Sequence, residues 1–157
     1  MAGMVAASSR SRLADHDRGR VAAPVSELAL TVRYLALDVG DRRIGLAVGD
    51  DAHGLSRPLP TLVRRSVVKD LAEIERIARE ESVDALVIGL PLTLAGDEGH
   101  QAERVRRFAT ASEKLGLPVR LYDERHTSTE AELRGARDLD AGAATILLED
   151  FLAQRAR

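Results

Sequence analysis

The stretch Tyr34–Asp50, YLALDVGDRRIGLAVGD, decides the fold. Tyr34-Leu35-Ala36-Leu37 is apolar and runs into a carboxylate, Asp38. The chain turns through Gly40-Asp41-Arg42-Arg43 and returns as a second apolar segment. Two apolar runs around a Gly/Asp turn predict a β-hairpin. Strand alternation sets Asp38 on the face of Ala36 and Tyr34, at the hairpin mouth. Asp commonly opens turns by bonding nearby amides, yet Gly40 and Asp41 already supply that chemistry. The hairpin alone leaves Asp38 as either a turn residue or a functional carboxylate.

Working outward, strands are predicted over about 32–39 and 43–49. A third, over roughly 55–64, contains Pro58 and Pro60, which suits an edge strand. Leu71, Ile74, Ile77 and Ala78 then recur at helical spacing, with Ser66 or Val67 opening the helix. DALVIGLPL is a continuous apolar run, the pattern of a strand covered on both faces. EGHQAERVRRFATASEKLGLP carries Ala102, Val105, Phe108, Ala109 and Leu115 on one helical face and stops at Gly116. VRLYDE is a fifth strand. A short helix is expected near Ser128, and a last one from Asp138 to near Ala153. The order β-β-β-α-β-α-β-α-α needs antiparallel and parallel halves in one five-stranded mixed sheet, an α/β arrangement distinct from the Rossmann order. Residues 1–30 lack a sustained apolar period and a signal-peptide core. They read as a disordered tail or an overextended translation start, leaving 31–157 as the domain.

The chain has 157 residues, enough for one domain with its own core. It has no cysteine, which excludes disulfides, thiolate zinc sites and cysteine nucleophiles and fits a cytoplasmic protein. No apolar run reaches the roughly 20 residues that span a bilayer. Aromatics are 3%, so base stacking can contribute little to nucleic-acid binding. Of the 18 Lys and Arg in residues 34–157, 16 are Arg. Genomic G+C bias accounts for that skew, as do phosphate contacts, where the planar Arg fork is favoured.

Three acids occupy positions that such a sheet could gather. Asp38 ends the first strand. Glu124 ends the fifth, beside Asp123, and alternation lets only one of the two look toward Asp38. Asp140 opens the last helix, in phase with Ala144, Leu147, Leu148 and Phe151. Each also has a plain reading: a turn Asp, a surface Glu, and a carboxylate favoured in a helix first turn. If strands one and five are parallel, the first two acids share one sheet edge. Oxygen-only ligands then suit magnesium or manganese, and a cation would offset the repulsion between close carboxylates.

LALDVGDRRIGLAVGD, VIGLPLTLAGDEG, YDERHTSTEAE and LDAGAATILLEDFL, in that order, resemble the YqgF/RuvX family of pre-16S rRNA nucleases related to Holliday junction resolvases. The resemblance covers about residues 33–153. It implies a ribonuclease H-like fold and a nuclease that uses Mg2+ or Mn2+ to hydrolyse phosphodiesters in 5′-end processing of precursor 16S rRNA. By resemblance Asp38, Glu124 and Asp140 are the catalytic and metal-binding acids, and Arg125 and Thr127 complete the middle motif. Gly89 and Pro91 match a GLP turn. Arg42, Arg43 and Arg125 are candidates for phosphate contacts, although Arg42 and Arg43 also fit a solvated turn. The sequence departs from the family at His126, where an apolar residue is commoner, and in a short Glu132–Asp138 segment.

A Holliday junction resolvase acting on branched DNA is the first alternative; the sequence offers no clear dimer seam, so monomer and homodimer both stand. DVGDRRIG also resembles the phosphate hairpin of the sugar kinase and actin superfamily, but the chain is too short for the second domain that superfamily needs. A non-catalytic nucleic-acid-binding module is the remaining alternative, and the three acids argue against it.

Overall fold

The computed structural model describes residues 30–92, 99–124 and 139–157, of which 139–141 through the backbone alone. The expected helix near Ser128 lies outside the described residues, as does nearly all of the 1–30 segment. Residues Thr31–Arg157 group as one unit. Its strands are β1 (Arg33–Val39), β2 (Arg43–Asp50), β3 (Ser56–Val63), β4 (Ala85–Leu90) and β5 (Val119–Asp123). Its helices are α1 (Val67–Glu80), α2 (His100–Ser112) and α3 (Leu139–Arg155). The sheet order is β3-β2-β1-β4-β5. β1, β2 and β3 pair antiparallel, whereas β1, β4 and β5 run parallel.

The two faces of the sheet are built differently. Leu35, Leu37, Ile44, Leu46, Leu86 and Ile88 pack against α1 and α2, through Leu71, Ile74, Val105 and Phe108 among others. The other face presents smaller residues, Ala36, Ala47, Ala85 and Val87, with Tyr34, to Ala144, Leu147, Leu148, Phe151 and Leu152 of α3. Small sheet residues let α3 lie close. Truncating a fully buried residue such as Leu148 to Ala would cost about 2–5 kcal/mol, the usual range for Leu-to-Ala cavities.

Element ends follow from local chemistry. Ser66 is the α1 N-cap, its hydroxyl accepting from the Lys69 amide at 3.3 Å, so Val67 is the first helical residue. The chain leaves α2 through a 3-10 turn at Glu113–Leu115 and stops at Gly116, whose φ of 78° suits glycine. β3 is an edge strand, where Pro58 and Pro60 are tolerated. β5 ends at Asp123 rather than Glu124, one residue before the sequence expectation. The β4–β5 register ends at Leu90 opposite Asp123. The next residue of β4 would be Pro91, which has no N–H to continue the ladder. Glu124 is therefore released from the sheet.

Candidate active site

The parallel register places strand ends β1, β4 and β5 on one edge. Leu37 pairs with Ile88, and Ile88 with Leu121. One residue further, Asp38, Gly89 and Tyr122 form a row on the α3 face. On its other side Asp38 pairs with Gly45 of β2. Asp38 thus has a glycine on each flanking strand, and neither neighbour brings a side chain into the row.

Glu124 fills the gap above Gly89. A Cβ at position 89 would lie 2.7 Å from Glu124 Cδ and 2.9 Å from its Cγ. The Glu124 carboxyl reaches across to hydrogen-bond Asp38. Burial, the Asp38 charge, that hydrogen bond and the Asp123 charge together push Glu124 up to about 7 from the usual 4.5. Two carboxyls can share such a bond only when one carries the proton. At higher pH both become anionic, and a cation is the natural counter-charge. The hard oxygen donors of Asp38 and Glu124 fit magnesium or manganese. Among the described residues no third His, Cys, Asp or Glu joins them in a metal-sized group. Asp140 lies in the first turn of α3, and its side chain is outside the described residues.

The Gly40 amide donates to the Arg43 carbonyl at 2.8 Å and closes the β1–β2 turn. A Cβ on Gly40 would come within 3.0 Å of that same oxygen, so the turn needs glycine for space. Asp38, Gly40, Arg42, Arg43 and Gly45 line an open cleft of about 300 Å³. Arg42 and Arg43 are exposed on its rim. Arg104 of α2 reaches the same turn and pairs with Asp41 at 2.6 Å.

One expectation changes. Gly89 is not in a turn: it sits inside β4, where the missing side chain makes room for Glu124. Gly45 has no role assigned from sequence, although a glycine inside an apolar strand is itself a sign of close approach. Arg125, His126 and Thr127 lie outside the described residues.

Comparison with known proteins agrees with this architecture. RuvC of Thermus thermophilus, solved with a Holliday junction substrate, superposes with a TM-score of 0.54 at 15% identity, covering 80% of this chain and 96% of that one. Fowlpox virus resolvase, solved with Holliday junction DNA, gives 0.52 at 8% identity, covering 80% and 100%. At such identity the likeness shows the fold, which is ribonuclease H-like. In sequence, a Chloroflexus aurantiacus protein named "Putative pre-16S rRNA nuclease" is 43% identical over 132 residues, 77% of this chain and 86% of that relative. An Anaeromyxobacter dehalogenans protein of the same name is 44% identical over 136 residues, 80% and 99%. The family model described as "RuvX: Holliday junction resolvase" matches residues 32–154, and the chain belongs to that family.

Proposed function

We propose that the chain is a divalent-metal-dependent nuclease that hydrolyses phosphodiester bonds of precursor 16S rRNA in the cytoplasm. The observation that carries this reading is the hydrogen-bonded Asp38–Glu124 pair, held in a row where both sheet neighbours of Asp38 are glycine. Asp38, Glu124 and Asp140 would hold Mg2+ or Mn2+. A bound ion of this kind supplies activation of water and stabilisation of the leaving oxygen. The protein's own part is to keep two carboxylates together and to place glycine, with no side chain, on each strand flanking Asp38. Arg42 and Arg43 on the cleft rim, with Arg125, would neutralise backbone phosphates and so favour a nucleic-acid substrate. Among the described residues no helix is long and apolar enough to cross a membrane.

A second reading, cleavage of branched DNA, draws on the family description of a Holliday junction resolvase. It would use the same acids on a different substrate, and two copies of the chain. A precursor-rRNA fragment and a four-way DNA junction, each incubated with Mg2+ and Mn2+, separate the two. Cleavage of the rRNA fragment alone supports the first reading. Symmetric cutting of the junction by a dimer, with the rRNA left intact, replaces it by the second.

A further inference from the structure

The turn that follows Asp38 is tied down from outside the cleft. Arg64, three residues before α1, donates from Nη1 to the Gly40 carbonyl at 3.0 Å. Its Nε donates to Asp70 Oδ2 at 3.3 Å, and its guanidinium lies over the Phe108 ring at 5.3 Å. Its backbone amide donates to the Arg42 carbonyl at 2.9 Å. Asp70 is 1% exposed, and its other carboxylate oxygen accepts from the Arg65 amide at 3.0 Å. A carboxylate so deeply buried is costly unless its charge is matched. Arg64 supplies the match through Nε and binds the turn through Nη1.

Two further groups grip the same segment. Gln101 Nε2 donates to the Val39 carbonyl at 3.1 Å, and Arg104 holds Asp41. The Arg104 pair is exposed, and such pairs contribute little in water. Arg64 differs because its charge is partly buried and its planar fork serves two acceptors at once.

We propose that Arg64, oriented by buried Asp70, is a positioning residue that fixes the Val39–Arg43 turn and, through it, Asp38 and the rim arginines. The catalytic half of this inference rests on the nuclease reading given above; the mechanical half stands without it. Among the described residues Arg64 bonds to neither Asp38 nor Glu124, and it acts through the Gly40 carbonyl.

Two variants test it. Arg64→Lys keeps the charge beside Asp70 but cannot span both acceptors. Arg64→Met combined with Asp70→Asn removes the donor and the buried charge together, so the fold survives even if the first variant fails to fold. Hydrogen exchange of the Gly40 amide, which closes the turn, is followed beside cleavage kinetics in Mn2+. Loss of a charge-assisted bond should speed that exchange at least about tenfold and lower kcat by a similar factor. KM should rise by less than kcat falls, because the substitution loosens Arg42 and Arg43 without removing their charge. Unchanged exchange overturns the proposal. Faster exchange with unchanged kcat overturns the positioning role. Faster exchange in a protein whose parent form cleaves no nucleic acid supports the mechanical clamp and overturns the nuclease reading instead.

Discussion

Glu124 lies where the side chain of residue 89 would be: its Cδ is 2.7 Å from the place a Gly89 Cβ would take. The strand therefore specifies the position of a carboxylate that follows the end of the next strand along. Gly89→Ala should leave melting nearly unchanged, since alanine is the better strand residue and Glu124 can swing outward. Cleavage should fall by about a hundredfold, the usual cost of misplacing a reacting group by an ångström. Activity measured on protein with an unchanged melting curve checks this. A fully active Gly89→Ala protein would show that Glu124 need not lie over β4.

The carboxyl pair also predicts a pH dependence in metal-free protein. Glu124 titrates near 4.5 when unfolded and at about 7 when folded. Between those values the folded state holds the extra proton, so stability falls as pH rises and the penalty is complete above about 7. Below 4.5 both states are protonated and the penalty vanishes. Glu124→Gln should remove this dependence. Urea unfolding of both proteins from pH 4.5 to 8 reads it out, with the difference isolating Glu124 from other titrating groups. Added Mg2+ or Mn2+ should stabilise the parent protein most at the upper end of that range. Parallel curves for the two proteins would show that neither burial nor the Asp38 charge raises Glu124.

Arg42 and Arg43 face the cleft from the turn that Arg64 holds. Replacing both with Ala should weaken nucleic-acid binding and lower its salt slope by up to about two units, roughly one per lost phosphate contact. The rate at saturating substrate should change less, because these charges would bind ground and transition states alike. Binding across a salt series decides it. If the slope does not move, the pair is a solvated turn, and the exposed Arg106 and Arg107 on α2 become the next candidates.

Much of the fold is legible in the sequence because its signals are local. The Tyr34–Asp50 hairpin is marked by apolar runs around a Gly/Asp turn, and β4 by an unbroken apolar segment whose six residues are all buried. Pro58 and Pro60 mark the edge strand, and α3 buries Ala144, Leu147, Leu148 and Phe151 as their spacing predicts. The site is less legible because it is assembled across strands. Position alone brings Asp38 and Glu124 to one sheet edge, but that Glu124 bends back over Gly89 depends on the parallel register and on Pro91 ending the ladder. Gly45 gives only the weak signal of a glycine inside an apolar strand, and Arg64 gives none: each matters through a partner on another strand or turn. Asp38 with Gly45, and Arg64 with Gly40, meet only when the chain is folded.

Asp38 and Glu124 are proposed as a metal-holding catalytic pair, and Asp38→Asn puts that pairing to trial. The substitution keeps the shape of the side chain and removes its charge. It should leave the fold intact and relieve some repulsion toward Glu124 in the metal-free protein. Divalent-dependent cleavage of a precursor 16S rRNA fragment, with parent and variant protein side by side in Mg2+ and Mn2+, is the measurement. The expected result is cleavage by the parent protein and a loss of at least about a hundredfold in the variant, in line with removing one charged group from a reacting site. Equal cleavage by the two proteins would contradict it.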